Sequence, residues 1–256
     1  MTKTAIIGAG NMGSAIAAGL SKSNYEVAVA NPHAEKLERL VEKYPSLTVT
    51  TSNAEAATGA DIVFIATRPQ QCADVIAEIA PALKPGSLVV TLAPQVTLSD
   101  IRLPEGCHAA RMMPNTAISV GQSMTFVCFD TGTPAAVRAS LLDALSTLGQ
   151  TAVIDEALMG PATALCSCGL AYALRYVRAA TEGAVAMGFR PTDAVNYICA
   201  TLRGAADMLG QSGCHPEQLI DQVTTPGGTT IRGLLAMERA GFSNAVIDGL
   251  LASCHE

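Results

Sequence analysis

The sequence predicts an α/β domain built on a parallel sheet, followed by an all-α domain. Through residue 155, short apolar runs alternate with helical segments, which is the pattern of a sheet covered by helices on both faces. After Asp155 the β-branched runs disappear and apolar residues recur at the helical spacing of 3.6. We therefore expect two domains, 1–155 and 156–256.

Apolar runs bounded by turn residues predict the strands of the first domain. They are Thr4–Ile7, Val27–Ala30, Asp61–Ala66, Ser87–Leu92, His108–Met112, Met124–Phe129 and Thr151–Ile154. Helical spacing between these runs predicts four helices. They are Gly13–Leu20, Pro32–Tyr44, Gln70–Leu83 and Pro134–Leu148, the second of which opens with proline.

The second domain is predicted to be helical throughout. Its helices are expected near 157–167, 170–187, 192–211, 216–223, 229–240 and 242–253, with Gly188, Gly210, Gly213 and Gly241 as stops. Long, alanine-rich apolar helices in about 100 residues carry more apolar surface than so small a unit can bury. The sequence therefore predicts a homo-oligomer.

The composition excludes several classes of protein. The chain has 256 residues, is 49% apolar and 15% charged, and carries a net charge of −6. These values argue against a disordered chain and against non-specific nucleic-acid binding. The longest apolar stretch, Pro161–Leu174, is too short to span a bilayer, and a glycine motif from residue 8 fits no secretory signal. A cytoplasmic protein without a membrane partner is expected.

The cysteines and histidines do not indicate a metal site. Cys166 and Cys168 form the one close cysteine pair, but they lack C-x2-C spacing and a nearby histidine. The four histidines are scattered along the chain. We expect all eight cysteines to be buried free thiols, and no bound metal.

A glycine loop supplies the first functional signal. Gly8-Ala9-Gly10-Asn11-Met12-Gly13 is G-x-G-x-x-G between a predicted strand and a predicted helix. In that context Gly8 permits the tight turn, Gly10 lets the backbone approach a pyrophosphate, and Gly13 lets the helix pack closely on the strand. The motif predicts a Rossmann-type dinucleotide-binding domain, although a tight turn without a ligand has the same spacing.

The end of the second strand bears on the choice of cofactor. A carboxylate there would bind the ribose 2′-hydroxyl and repel a 2′-phosphate. The residues at this point are Asn31, Pro32 and His33, and both Asn31 and His33 can donate to a phosphate. The sequence favours NADPH over NADH.

A threonine-rich loop in the helical domain is the candidate substrate site. Val223–Ile231 reads V-T-T-P-G-G-T-T-I between two predicted helices. Backbone N–H groups at a helix start can bind an anion, and threonine hydroxyls can add oriented hydrogen bonds. The candidates are Thr225, Gly227, Gly228, Thr229 and Thr230. An ordinary capped helix, in which threonine serves only the backbone, is the competing interpretation.

The motifs together resemble those of the pyrroline-5-carboxylate reductase family, over essentially the whole chain. The most specific match is Leu219–Leu234, around the family's P-G-G-x-T-I core. Supporting matches are Gly8–Gly13, Arg111–Thr116 and Gly169–Tyr172.

The resemblance implies reduction of the C=N bond of 1-pyrroline-5-carboxylate to L-proline with NAD(P)H. It makes Thr230 the residue that hydrogen-bonds the ring nitrogen, and it places Asn115 near the nicotinamide. It also assigns cofactor contacts to Ala66, Thr67, Arg68 and Pro69. The family's helical domain forms an intertwined dimer, often assembled further into decamers.

The sequence departs from the family pattern at several positions. Family members read S-G-S-G-P-A-Y where this chain has Cys166-Ser167-Cys168-Gly169-Leu170-Ala171-Tyr172, so Ser167 replaces glycine and Leu170 replaces proline. The family's S-x-A-A-G-V reads Thr91–Val96 here, with Pro94 unable to donate a backbone N–H. Arg68 stands in place of lysine.

Two other functions remain open at this point. One is an imine or ketone reductase of the same fold that acts on another small carboxylate, which the changes at Pro94 and Leu170 would favour. The other is a non-catalytic NADPH-binding sensor, which would have no need of a substrate carboxylate site. The helical domain has no lysine, so a lysine acid/base of the β-hydroxyacid dehydrogenase kind is excluded.

Overall fold

The computed structural model describes residues 1–254 and contains two compact units. The first comprises Met1–Ser167, and the second begins at Cys168. Each unit is described by itself.

The first unit is built on one eight-stranded sheet. Its strands are β1 Thr2–Ile7, β2 Tyr25–Ala30, β3 Thr48–Thr50, β4 Ile62–Ile65, β5 Leu88–Thr91, β6 His108–Met113, β7 Ser123–Phe129 and β8 Gly149–Val153. The strand order is β3-β2-β1-β4-β5-β6-β7-β8. The order reverses direction at β1, which pairs with β2 on one side and β4 on the other. Ligands of open α/β sheets bind at such a switch point.

Helices cover both faces of this sheet. They are α1 Asn11–Leu20, α2 Ala34–Lys43, α3 Asn53–Ala57, α4 Cys72–Ile79, α5 Ala135–Ser146 and α6 Met159–Ala162. Alternation along each strand divides the core into two layers. Ile6 and Phe64 lie in one apolar cluster, whereas Ile7 and Ile65 lie in the other.

The seven predicted strands are confirmed, but the sheet is not wholly parallel. β6 and β7 pair antiparallel, with Arg111 opposite Cys128, and β7 then pairs parallel with β8. β3 and α3 are not among the predicted elements, because three and five residues are too short to show a period. Pro32 does not open the second helix, since α2 begins at Ala34 with His33 as its N-cap.

The second unit consists of helices. They are α7 Gly169–Ala186, α8 Pro191–Ser212, α9 Pro216–Val223, α10 Thr229–Arg239 and α11 Phe242–Ser253. Gly188, Gly213 and Gly241 take positive φ values of 95°, 63° and 83° after helices, as predicted for stops. Gly210 instead lies inside α8, so its assignment as a stop was wrong.

Many apolar side chains of the second unit are exposed within this chain. Leu174 is 62% exposed and Leu251 67%, and others include Tyr197, Val223, Leu235 and Ile247. The largest fully buried side chains all belong to the first unit. The helical unit therefore presents apolar faces that its own residues do not cover.

A π-helical segment replaces the expected gap between two helices near residue 168. Thr163–Cys168 is π-helical, and it continues from α6 into α7. The resulting helical run, Glu156–Ala186, is long and apolar enough to cross a membrane by length and composition, and 17% of its most apolar window is buried. This run is longer than the apolar stretch that the sequence analysis considered. Helices that pack in protein cores and interfaces have the same composition.

Candidate functional site

The glycine loop connects β1 to α1 and leaves open space above its second glycine. Gly8 has a φ of 108°, and a Cβ atom there would lie 2.7 Å from the carbonyl oxygen of Ala66. A Cβ at Gly13 would lie 2.0 Å from the carbonyl oxygen of Gly8, whereas one at Gly10 would meet nothing within 4 Å. Gly8 and Gly13 are therefore required by the fold, while Gly10 keeps a space clear for a ligand.

The start of α1 supplies donors to this space. The helix begins at Asn11 with Gly10 as its N-cap, and no side chain caps it. The first intrahelical bond runs from the N–H of Ser14 to the carbonyl of Gly10, so the N–H groups of Asn11, Met12 and Gly13 have no acceptor within the helix. These groups and the helix dipole favour an anion.

The loop after β4 lies beside the glycine loop and holds an unpaired hydroxyl. Thr67 Oγ1 is buried and has no hydrogen-bond partner among the described residues, and the Thr67 methyl lies 3.4 Å from the Cβ position of Gly8. Ala66 donates its N–H to the carbonyl of Ile7 at 2.8 Å, which fixes the loop against β1. Arg68 is exposed, and a 3₁₀ turn starts at Pro69. A polar ligand would satisfy the Thr67 hydroxyl.

The end of β2 partly matches the sequence interpretation. Asn31 is buried and donates its N–H to the carbonyl of Thr50 at 3.2 Å. His33 is exposed, and its Nδ1 lies 3.8 Å from a carboxylate oxygen of Glu35, a neighbour that was not considered in the sequence prediction. The end of β2 itself carries no carboxylate, but Glu35 lies in the first turn of α2.

Asn115 follows β6 and is held by its own hydrogen bonds. Its Oδ1 accepts from the N–H of Ala117 at 3.1 Å, and its Nδ2 donates to the carbonyl of Cys166 at 3.2 Å. The side chain is buried. The amide thus caps one turn and binds the π-helical segment, a packing role that sequence reasoning did not foresee beside the expected cofactor contact.

The threonine-rich loop lies in the second unit. Thr225–Gly228 forms a type II turn, in which Pro226 takes the first central position and Gly227 has a φ of 70°. The Gly228 N–H donates to the carbonyl of Thr225 at 2.9 Å. A Cβ at Gly228 would lie 2.5 Å from Thr225 Oγ1, so a larger residue there would force the Thr225 side chain to move.

α10 starts directly after this turn with uncapped N–H groups. Its N-cap is Gly228, and no side chain makes a cap hydrogen bond. Thr229 and Thr230 occupy the first turn, and both are exposed within this chain. The ordinary-cap interpretation is therefore wrong, since no threonine serves the helix start. Hydroxyls and N–H groups both remain for a ligand with an anionic group.

The fold and the glycine loop define a dinucleotide-dependent oxidoreductase. The open space at Gly10, the uncapped start of α1 and the unpaired Thr67 hydroxyl all fit a nicotinamide dinucleotide. Residues 3–95 match the family described as NADP oxidoreductase coenzyme F420-dependent, and residues 156–256 match pyrroline-5-carboxylate reductase dimerisation.

Relatives cover the whole chain. A Dictyostelium discoideum protein named pyrroline-5-carboxylate reductase 2 is 33% identical over 98% of this chain and 91% of its own length. Pyrroline-5-carboxylate reductase 1 of the same organism is 36% identical over 97% of this chain, which spans 48% of that longer protein. The chain belongs to the pyrroline-5-carboxylate reductase family.

Solved structures agree with this assignment. A pyrroline-5-carboxylate reductase from Coxiella burnetii superposes with a TM-score of 0.90 at 28% identity, and the match covers 99% of this chain and 96% of that one. The Plasmodium falciparum pyrroline carboxylate reductase with NADP bound gives a TM-score of 0.87 at 25% identity, over 99% of this chain and 95% of that one.

Proposed function

We propose that this protein reduces the C=N bond of 1-pyrroline-5-carboxylate to give L-proline, the last step of proline biosynthesis, with NADPH preferred over NADH. The observation that carries the proposal is the intact turn and helix start from Thr225 to Ile231. It combines uncapped N–H groups with exposed threonine hydroxyls in a member of this family. The substrate is a small ring with one carboxylate and one ring nitrogen, which matches these two kinds of donor.

The first unit would hold the cofactor. NADPH supplies a hydride when bound. The N–H groups at Gly10, Asn11, Met12 and Gly13 would bind its pyrophosphate, and Thr67 would donate or accept one further hydrogen bond. Asn31 and His33 would contact the 2′-phosphate, with Ala66, Arg68, Pro69 and Asn115 completing the set.

The second unit would orient the substrate. The start of α10, with Gly227, Gly228 and Thr229, would bind the carboxylate, because the N–H groups and the helix dipole favour negative charge. Thr230 would hydrogen-bond the ring nitrogen. An alcohol is a weak acid, so the proton would reach the nitrogen from water or arrive with an already protonated imine. Most of the rate would then come from orientation.

The closing experiment is NADPH oxidation followed at 340 nm with 1-pyrroline-5-carboxylate, repeated with NADH. Turnover with faster use of NADPH would support both parts of the proposal. Binding of NADPH without turnover would contradict the reductase assignment, and a panel of cyclic imines and 2-oxo acids would then test the other reductase function. A preference for NADH would point to Glu35 as the decisive side chain at the β2 end.

We also propose that the uncovered helix faces of the second unit form a homodimer, with further assembly to a decamer, in the cytoplasm. The support is the family match to a dimerisation domain and the exposure of side chains such as Leu174 and Leu251. Light scattering after gel filtration, without detergent, measures the mass. A monomer, or a protein that stays soluble only in detergent, would contradict this arrangement.

A further inference from the structure

An ion pair between a buried arginine and a partly exposed glutamate lies in the first unit, beside the strands that lead to the cofactor crevice. Arg111 belongs to β6 and is 7% exposed. Its Nη1 donates to Glu156 Oε1 at 2.7 Å and its Nη2 to the carbonyl of Pro94 at 2.7 Å. Its Nε is buried and has no hydrogen-bond partner among the described residues. No role is predicted for Arg111 from the sequence, although a charged residue inside an apolar strand indicates that it has a role.

Arg111 and Glu156 form hydrogen bonds with both ends of one backbone segment. Glu156 Oε1 also accepts from the backbone N–H of Leu98 at 2.7 Å. Arg111 therefore holds the segment near its start, at Pro94, and Glu156 holds it near its end, at Leu98. Because Pro94 has no N–H, its carbonyl is its one backbone polar group, and this carbonyl accepts the hydrogen bond from Arg111. We call Ala93–Leu98 the β5 loop.

The β5 loop follows the carboxyl end of β5, the edge of the sheet at which ligands bind. The strand order puts β2 on one side of β1 and β4 and β5 on the other. The part of the sheet on the β2 side binds the first mononucleotide of the cofactor. The second mononucleotide, which carries the nicotinamide, therefore binds on the side of β4 and β5.

Stability alone does not explain this arrangement. Removing the Arg111 charge from water is costly, and buried ionic groups are often replaceable by apolar residues without loss of stability. The unpaired Nε adds a further cost. What the pair does supply is a fixed geometry, because a planar guanidinium binds two acceptors in set directions.

We propose that Arg111 and Glu156 are positioning residues for the reaction, which hold the β5 loop at the nicotinamide half of the crevice. Neither residue takes part in the chemistry. This inference rests on the proposed function only for the effect on kcat. The effect on cofactor binding stands independently of the substrate.

The test uses the full-length protein and two variants. Arg111→Lys keeps the charge but lacks the planar fork, so it cannot hold both acceptors. The double variant Arg111→Met with Glu156→Gln leaves no unpaired buried charge, so it remains informative if single variants fail to fold. Fluorescence titration measures the dissociation constant for NADPH without substrate, and steady-state assays give kcat and KM.

Both variants are expected to weaken NADPH binding several-fold and to lower kcat by about tenfold or more, because small misplacements of a reacting group are costly. The KM for the imine is expected to stay within about threefold, since the substrate-binding turn is untouched. If the pair had only a structural role, the variants would lower the unfolding midpoint and leave the NADPH dissociation constant and kcat unchanged. Arg138→Met is the matched control, because Arg138 also donates to two backbone carbonyls, those of Thr133 and Asp130.

The outcomes separate the two proposals. A folded double variant with unchanged NADPH affinity would overturn the positioning role, whatever the substrate is. If the wild-type protein does not turn over 1-pyrroline-5-carboxylate, the reductase proposal fails, but a selective loss of NADPH affinity in both variants would still support the positioning of the β5 loop.

Discussion

The hydroxyl of Ser167 donates a hydrogen bond to the backbone carbonyl of Pro114 at 3.2 Å. In return, the side chain of Asn115 donates to the carbonyl of Cys166 at 3.2 Å. Two adjacent residues after β6 are thus tied to two adjacent residues of the π-helical segment. A π-turn changes the backbone hydrogen-bond pattern of the helix, and the Asn115 amide donates to a carbonyl within it. Glycine, which the family pattern carries in place of Ser167, could not make the first bond.

Ser167→Ala is expected to lower the free energy of unfolding by about 1 kcal/mol, the usual net contribution of one hydrogen bond. Ser167→Gly should cost roughly 1 kcal/mol more, because glycine disfavours helical backbone. Urea unfolding at pH 7 measures both. Ser119→Ala is the control, since that exposed hydroxyl bonds only to the nearby carbonyl of Thr116. Equal stability of the wild type and Ser167→Ala would show that the bond contributes nothing.

Thr230→Ala is expected to lower kcat by roughly one to two orders of magnitude, the scale of losing one oriented polar group. Thr230→Ser keeps a hydroxyl and should retain most of the activity. The measurement is steady-state NADPH oxidation with saturating substrate. Thr201→Ala serves as the control, because Thr201 is an exposed threonine on α8 that bonds only to its own helix. An unchanged kcat in Thr230→Ala would remove Thr230 from the mechanism.

Gly10→Ala and Gly13→Ala are expected to fail in different ways. A Cβ at Gly10 enters open space, so the fold should survive while NADPH affinity falls by about tenfold or more as the backbone loses its close approach. A Cβ at Gly13 would lie 2.0 Å from the Gly8 carbonyl, so that variant should be destabilised by several kcal/mol, about the scale of an overpacked core. Thermal unfolding and cofactor titration distinguish the two. A destabilised Gly10→Ala with normal affinity would contradict this assignment.

Asp61 predicts a pH dependence of stability. Burial raises the pKa of its carboxyl, but hydrogen bonds from Lys84 and from the Lys3 N–H outweigh burial, so the pKa lies below its ordinary value. The Lys84 contact is 2.6 Å. A lowered folded-state pKa contributes stability that is present above the unfolded-state pKa of about 3.9 and is lost as pH falls through the folded-state pKa.

Asp61→Asn should therefore reduce stability at pH 7, and the gap to the wild type should close as the pH falls below the ordinary aspartate pKa of about 3.9 and through the lower pKa of the folded state. The pair is well exposed and screened by solvent, so we expect a gap under about 1 kcal/mol. Urea unfolding from about pH 2.5 to about pH 7 gives the curve, a range that begins more than one unit below an ordinary aspartate pKa of about 3.9. Glu42→Gln on the exposed side of α2 is the comparison variant. A gap that stays constant with pH would rule out the charge as its cause.

Leu174→Asp tests the proposed dimer. The side chain is 62% exposed within this chain, so the substitution is tolerable in a monomer. In an apolar interface an unpaired carboxylate is costly, and dimerisation should weaken by more than about hundredfold. Light scattering should then report the mass of one chain. Val120→Asp changes an apolar residue of the first unit that is 72% exposed, and the mass of this variant should stay that of the wild type.

The sequence by itself determined the strands and loops that carry the chemistry. Gly8 and Gly13 are dictated locally, by a turn and a close helix, and Pro226-Gly227 specifies its turn because proline and glycine each suit one position of it. Apart from the close approach of Ala66 to Gly8, these features depend on neighbours a few residues away, so spacing is enough to find them. The most specific stretch, Leu219–Leu234, likewise lies within one turn and its flanking helices.

Only the tertiary structure decided the direction of β7, the π-helical segment and the partners of Arg111. An apolar run reads the same in either strand direction, so the antiparallel pairing of β6 and β7 is set by the connection and the hydrogen bonds between strands. Arg111 and Glu156 lie 45 residues apart in the chain. Folding brings these distant polar groups together and away from water, so each requires a hydrogen-bond partner. The pairing of Ser167 with Pro114 has the same cause.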